Sequence, residues 1–198
     1  MILIQWKPST ELRQAFEAGL RHLVQLGRVS SGLNVNPNPH PIYVLNSQEG
    51  GVFRLPSNVR LIGWRFFAGE PSGEIVVGDV SATTPPTVNS LYYGSSARNI
   101  YQATLALERL GEVDASDFHL RLLRIPGALF EGFWLKPASN NDGLIVPYGR
   151  SFDRERQDGK PYEIHDFLRT LRPVEKQFFR RKDLPAREPD RNEGHRLL

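Results

Sequence analysis

The sequence predicts an α+β fold: an antiparallel, strongly twisted sheet with two main helices packed on one face of it, then a C-terminal helix and a flexible basic tail. Three observations carry this prediction. Phe118–Lys136 reads F-H-L-R-L-L-R-I-P-G-A-L-F-E-G-F-W-L-K, two apolar, aromatic-rich runs broken by Pro126-Gly127. Proline fixes φ near −65° and glycine accepts φ > 0, so this is a strand, a turn and a strand, with large apolar residues on both faces. Such a hairpin belongs at the centre of the fold. Second, Leu12, Ala15, Phe16, Gly19, Leu20, Leu23 and Leu26 recur at i, i+3 and i+4, the stripe of a half-buried helix. Third, 15 prolines and 17 glycines among 198 residues imply many turns and short elements, which disfavours long helical bundles.

The elements follow in order. An edge strand is expected at Ile2–Trp6, then a first helix capped by Ser9 or Thr10 and running to about Gly27. Glu11 sits at the positive end of that helix's dipole. Residues 30–41, S-S-G-L-N-V-N-P-N-P-H-P, have no period and read as a loop. Ile42–Asn46, Gly51–Leu55 and Val59–Ala68 are β runs, with turns at Gln48–Gly51 and Pro56–Asn58, and an antiparallel meander joins them economically. Gly73–Ala82 continues it, and Gly78 within that run marks a bulge or a close backbone approach. After a stiff Thr83–Thr87 connection, Val88–Gly94 is a short strand leading directly into a second helix. Ile100, Ala103, Thr104 and Leu107 mark that helix's buried face, and Leu110-Gly111 its end. Leu144–Tyr148 is a last strand, and Ile164, Phe167, Leu168 and Leu171 have the spacing of a C-terminal helix.

Residues 1–179 make one domain and 180–198 a charged tail with almost no core residue. Without cysteine there are neither disulfides nor thiolate zinc sites. No window approaches the roughly 18 apolar residues of a membrane helix, and the N-terminus lacks the basic and apolar regions of an export signal. The expectation is a soluble, cytoplasmic protein without membrane insertion. The five histidines are widely separated and none stands in an H-x-x-x-H pair, so neither a metal nor a cofactor is expected.

Chemistry is suggested most by Leu91–Leu105, L-Y-Y-G-S-S-A-R-N-I-Y-Q-A-T-L, where a strand, a glycine and small hydroxyl residues open a helix. Backbone N–H groups of Gly94, Ser95 and Ser96 at such a start are candidates to hold an anionic ligand. Tyr93-Gly94-Ser95 resembles the strand end of the ADP-ribosyltransferase superfamily, which carries His-Gly-Thr or His-Gly-Ser before a helix, with tyrosine here in place of the histidine. The resemblance implies an NAD-using enzyme, with Glu131 on the central hairpin as candidate for the family's glutamate. His119 is placed to meet Glu131 across that hairpin, since paired strand residues lie about 5 Å apart. A nucleic-acid role rests on Arg169, Arg172, Lys176, Arg180, Arg181 and Lys182 with Phe178 and Phe179 interleaved, which is also the pattern of an arm that docks on a protein partner. The leading reading is a non-catalytic protein-binding or assembly module of a larger complex, with Phe178, Phe179, Arg180, Arg181 and Lys182 as docking residues. Two features motivate it: a tail suited to folding on a partner, and more aromatic residues than one sheet face needs (Trp64, Phe66, Phe67, Tyr92, Tyr93, Phe133 and Trp134). Its partner is another protein or a second copy.

Overall fold

The computed structural model describes residues 8–48, 51–55, 58–69, 73–113, 118–138, 143–148 and 159–171. The expected Ile2–Trp6 strand and the 180–198 tail lie outside them. Within them the fold is α+β, an eight-stranded sheet with three helices. The elements run α1 (Thr10–Gln25), β1 (His40–Leu45), β2 (Val59–Gly69), β3 (Ile75–Ser81), β4 (Val88–Tyr93), α2 (Gly94–Val113), β5 (Phe118–Ile125), β6 (Phe130–Pro137), β7 (Leu144–Pro147), β8 (Tyr162–Glu163) and α3 (Ile164–Thr170). Among the described residues, no helix is long and apolar enough to cross a membrane.

The strand order is β4-β3-β2-β1-β5-β6-β7-β8. Two four-stranded antiparallel meanders therefore meet at β1 and β5, which pair in parallel, Ile42 with Leu122 and Val44 with Arg124. That parallel pair departs from the all-antiparallel sheet the sequence suggests. It also removes the expected strand at Gly51–Leu55, because β1 already has β2 on one side and β5 on the other. That stretch is instead a tight loop, with Gln48 and Val52 hydrogen-bonded, and it drops Phe53 into the core beside Leu45 and Ile125.

α1 starts at Ser9, whose hydroxyl accepts from the Leu12 amide, and it buries Leu12, Phe16, Leu20 and Leu23. These pack on Trp64, Phe66, Val76 and Val80. At Gly78 a side chain, not another backbone, comes close: a Cβ there would lie 2.4 Å from the Phe16 ring, and the register irregularity falls next to it, between Asp79 and Val80. α2 packs against the alternate residues of the same strands, with Ala97 and Tyr101 beside Phe67, Ile75 and Val77. Both main helices were expected on one face, yet neighbouring residues of a strand point to opposite faces, so the two helices sandwich the sheet. α3 shares the face of α1 over the other half of the sheet, where Ile164, Phe167 and Leu168 meet Leu123, Phe130 and Ile145.

The central hairpin forms as expected, from Phe118↔Pro137 to Ile125↔Phe130. Its turn differs in one respect. Pro126–Ala128 make a single 3-10 turn, and the left-handed residue is Leu129, at φ 47°, rather than Gly127.

A candidate functional site in a ring of buried charge

Four strand residues, each flanked by uncharged neighbours, converge on the face that carries α2: Arg65 (W-R-F), Asp79 (G-D-V), Arg124 (L-R-I) and Glu131 (F-E-G). Arg65 stands opposite Asp79 on β2 and β3, and Arg124 stands opposite Glu131 on β5 and β6. The two pairs are then joined. Arg65 Nε and Nη2 donate to the two oxygens of Asp79 at 2.7 and 2.9 Å, and Nη2 lies 3.0 Å from a Glu131 oxygen. Arg124 Nη2 donates to Asp79 and its Nε to Glu131, each at 2.5 Å. Tyr148, just past β7, closes the ring: its hydroxyl accepts from Arg65 and donates to Glu131.

Asp79 and Tyr148 belong to strands five steps apart, roughly 24 Å across a flat sheet at about 4.8 Å per step. One guanidinium touches both, so the sheet curls toward this face. The ring is graded in exposure. Arg65 and Asp79 are sealed at 0% and 1%, whereas the side chains of Arg124 and Glu131 form a rim at 23% and 29%. Tyr92 lies under Arg65, ring centroid 5.9 Å from the guanidinium carbon.

The electrostatics follow from this packing. Burial opposes the charge on Glu131, but the two guanidiniums and the hydrogen bonds from Tyr148 and Arg124 outweigh it and hold the carboxyl below its usual range. Burial likewise opposes the Arg65 and Arg124 cations, and the carboxylates reverse it, raising both. Burial pushes the Tyr148 phenol up. His40 faces Arg65 on β1, and burial together with the Arg65 charge lowers it to about 4, so it is neutral at pH 7.

Of the residues the sequence singled out, only Glu131 enters this ring. Tyr93 lies on β4 at the far edge of the sheet, 42% exposed, and by alternation it faces the α1 side while Glu131 faces the α2 side. Gly94, Ser95 and Ser96 are exposed at the start of α2. The Tyr93-Gly94-Ser95 stretch and Glu131 are therefore not brought together. His119 does not meet Glu131 either: the hairpin register sets it opposite Lys136 and Glu131 opposite Arg124. Phe178, Phe179, Arg180, Arg181 and Lys182 lie outside the described residues. Among the described residues no group of three His, Asp or Glu side chains is placed to hold a metal ion. Sequence reasoning missed Arg65, Asp79, Arg124 and Tyr148, although Asp79, the one charge in the apolar run I-V-V-G-D-V-S, was a signal that a cation must answer it.

No family model matches the chain, and neither the curated proteins nor the solved structures contain a match.

Proposed function

We propose that this protein is a non-catalytic protein-binding or assembly module. The observation that carries the reading is the closure of the charge ring: two guanidiniums, two carboxylates and a phenol answer one another. A carboxylate held ionised by two arginines is a poor proton carrier at neutral pH, because a general acid or base needs a pKa near the working pH. Such a ring instead ties β2 and β3 to β5, β6 and β7 across β1, a scaffold's task. The six-residue edge strand β4 and the charged segment from Arg180 are the places where a partner would attach.

The test is isolation of the tagged protein from its own cells under mild conditions, with mass spectrometry of what accompanies it. A stoichiometric protein is the expected result, and deletion of residues 180–198 is expected to weaken its retention. A protein that comes away alone removes the reading's main support.

One observation favours a second reading, an NAD-using enzyme. Glu131 sits on the solvent-reached rim, ionised and beside Arg124, where a ligand's ribose could meet it. This reading predicts NAD binding that is lost in Glu131→Gln. The absence of binding at millimolar NAD disposes of it. A nucleic-acid role for the C-terminal basic segment predicts binding that weakens steeply with salt, and a flat salt response counts against it.

A further inference from the structure

The two ends of the sheet are built differently. β8 is two residues long and lies among charges, Glu163 within it and Lys160 over the Tyr162 ring. Short length and charge are the devices that blunt a sheet edge. β4 is six residues, V-N-S-L-Y-Y, with neither a charge nor a proline. β3 takes one side of it, and among the described residues no main-chain hydrogen bond reaches the other. Alternate residues of an antiparallel strand direct both N–H and C=O outward, so this edge is a template for one more strand.

We infer that the Val88–Tyr93 edge pairs antiparallel with the same strand of a second copy of this chain. This deepens the assembly reading and rests on it. A strand without charge does not repel its own copy, and self-pairing about a twofold axis demands a register in which facing residues share a face. An axis through Leu91 supplies one. It sets Ser90 opposite the partner's Tyr92, both on the α2 side. Beyond the irregularity between the partners of Asp79 and Val80, it sets Val88 opposite the partner's Tyr93, both on the α1 side. Tyr93, among the most exposed large apolar side chains described, thereby gains an aliphatic neighbour.

The experiment uses the purified full chain, of 22.5 kDa, in size-exclusion chromatography with light scattering over a range of concentrations. A species of twice that mass that dissociates on dilution is expected. The double variant Asn89→Lys/Tyr93→Lys, which charges two exposed edge positions, is expected to weaken association about tenfold or more with an unchanged circular dichroism spectrum. Should the variant fail to fold, amide hydrogen exchange on the wild type replaces it. Alternate amides within 88–93 then slow as concentration rises, and amides in that stretch indifferent to concentration overturn the inference. So does a wild type that stays monomeric at every soluble concentration, or a variant that associates as well as the wild type. A monomer that still captures a foreign protein from cell extract ends the self-pairing alone and leaves the assembly reading standing.

Discussion

Arg65 and Asp79, directly opposite on β2 and β3, form a two-point ion pair at 2.7 and 2.9 Å with both side chains sealed from solvent. Two buried charges are tolerable only while each has the other, so the pair makes the sheet's stability sensitive to loss of one partner. Asp79→Asn leaves Arg65 buried with only Glu131 and Tyr148 to answer it. The expected loss is about 3–5 kcal/mol in chemical denaturation. The exchange Arg65→Met with Asp79→Leu removes one charge of each sign and is expected to cost less than Asp79→Asn alone. If Asp79→Asn instead costs under about 1 kcal/mol, the ring does not hold the halves together.

His40 gives the fold an acid-sensitive term. Its folded pKa, about 4, is below the usual 6.5, so its contribution is fully present above pH 6.5 and is lost as pH falls from there toward 4, where the unfolded chain takes up a proton that the folded one refuses. Unfolding free energy across that window should fall with pH, by an amount on the order of 3 kcal/mol, and His40→Leu should flatten the slope. Glu131 acts at lower pH with the same sign: its depressed folded pKa adds stability above the unfolded carboxyl's range, lost as pH falls through the folded value. A slope unchanged in the His40 variant would mean that other groups carry the acid response.

Gly78 and Gly127 make a matched pair. A Cβ on Gly78 meets the Phe16 ring at 2.4 Å and Leu91 at 2.9 Å, whereas one on Gly127 reaches only ordinary contact with Phe53 at 3.7 Å. Gly78→Ala should cost about 1–3 kcal/mol by pushing α1 off the sheet. Gly127→Ala should be within about 0.5 kcal/mol of the wild type. Thermal denaturation of the two variants side by side checks the contrast, and equal midpoints would refute the close α1 contact.

Leu129 holds a left-handed backbone at φ 47° with its side chain 46% exposed. A branched side chain in that region costs about 1–2 kcal/mol that glycine or asparagine avoids. Leu129→Asn is therefore expected to raise stability by about 0.5–1 kcal/mol, since little packing is lost. A lower denaturation midpoint would show that the side chain matters more than the backbone strain.

The local elements were legible in the sequence wherever a period or a stop signal was strong. Ser9 and the Leu12–Leu23 stripe predict α1, Pro126-Gly127 places the hairpin turn, and Val88–Gly94 running into a helix is what β4 and α2 do. These depend on residues a few positions apart, and local sterics and burial act over that range. The candidate site was legible only in part. Glu131 drew attention, but its companions did not, because Arg65, Asp79 and Arg124 look like ordinary strand charges until their strands are ordered. Alternation says which residues share a face within one strand; it is silent on which strands are neighbours, in which direction they run, and how far the sheet curls. The parallel joining of β1 to β5, the placing of α1 and α2 on opposite faces, and the bridging of Asp79 and Tyr148 by Arg65 across five strand steps were all decided there. Sequence alone determined the helices, the hairpin and the apolar faces. Tertiary structure decided the charge ring, because a buried charge can only be answered by partners that folding carries to it from distant strands.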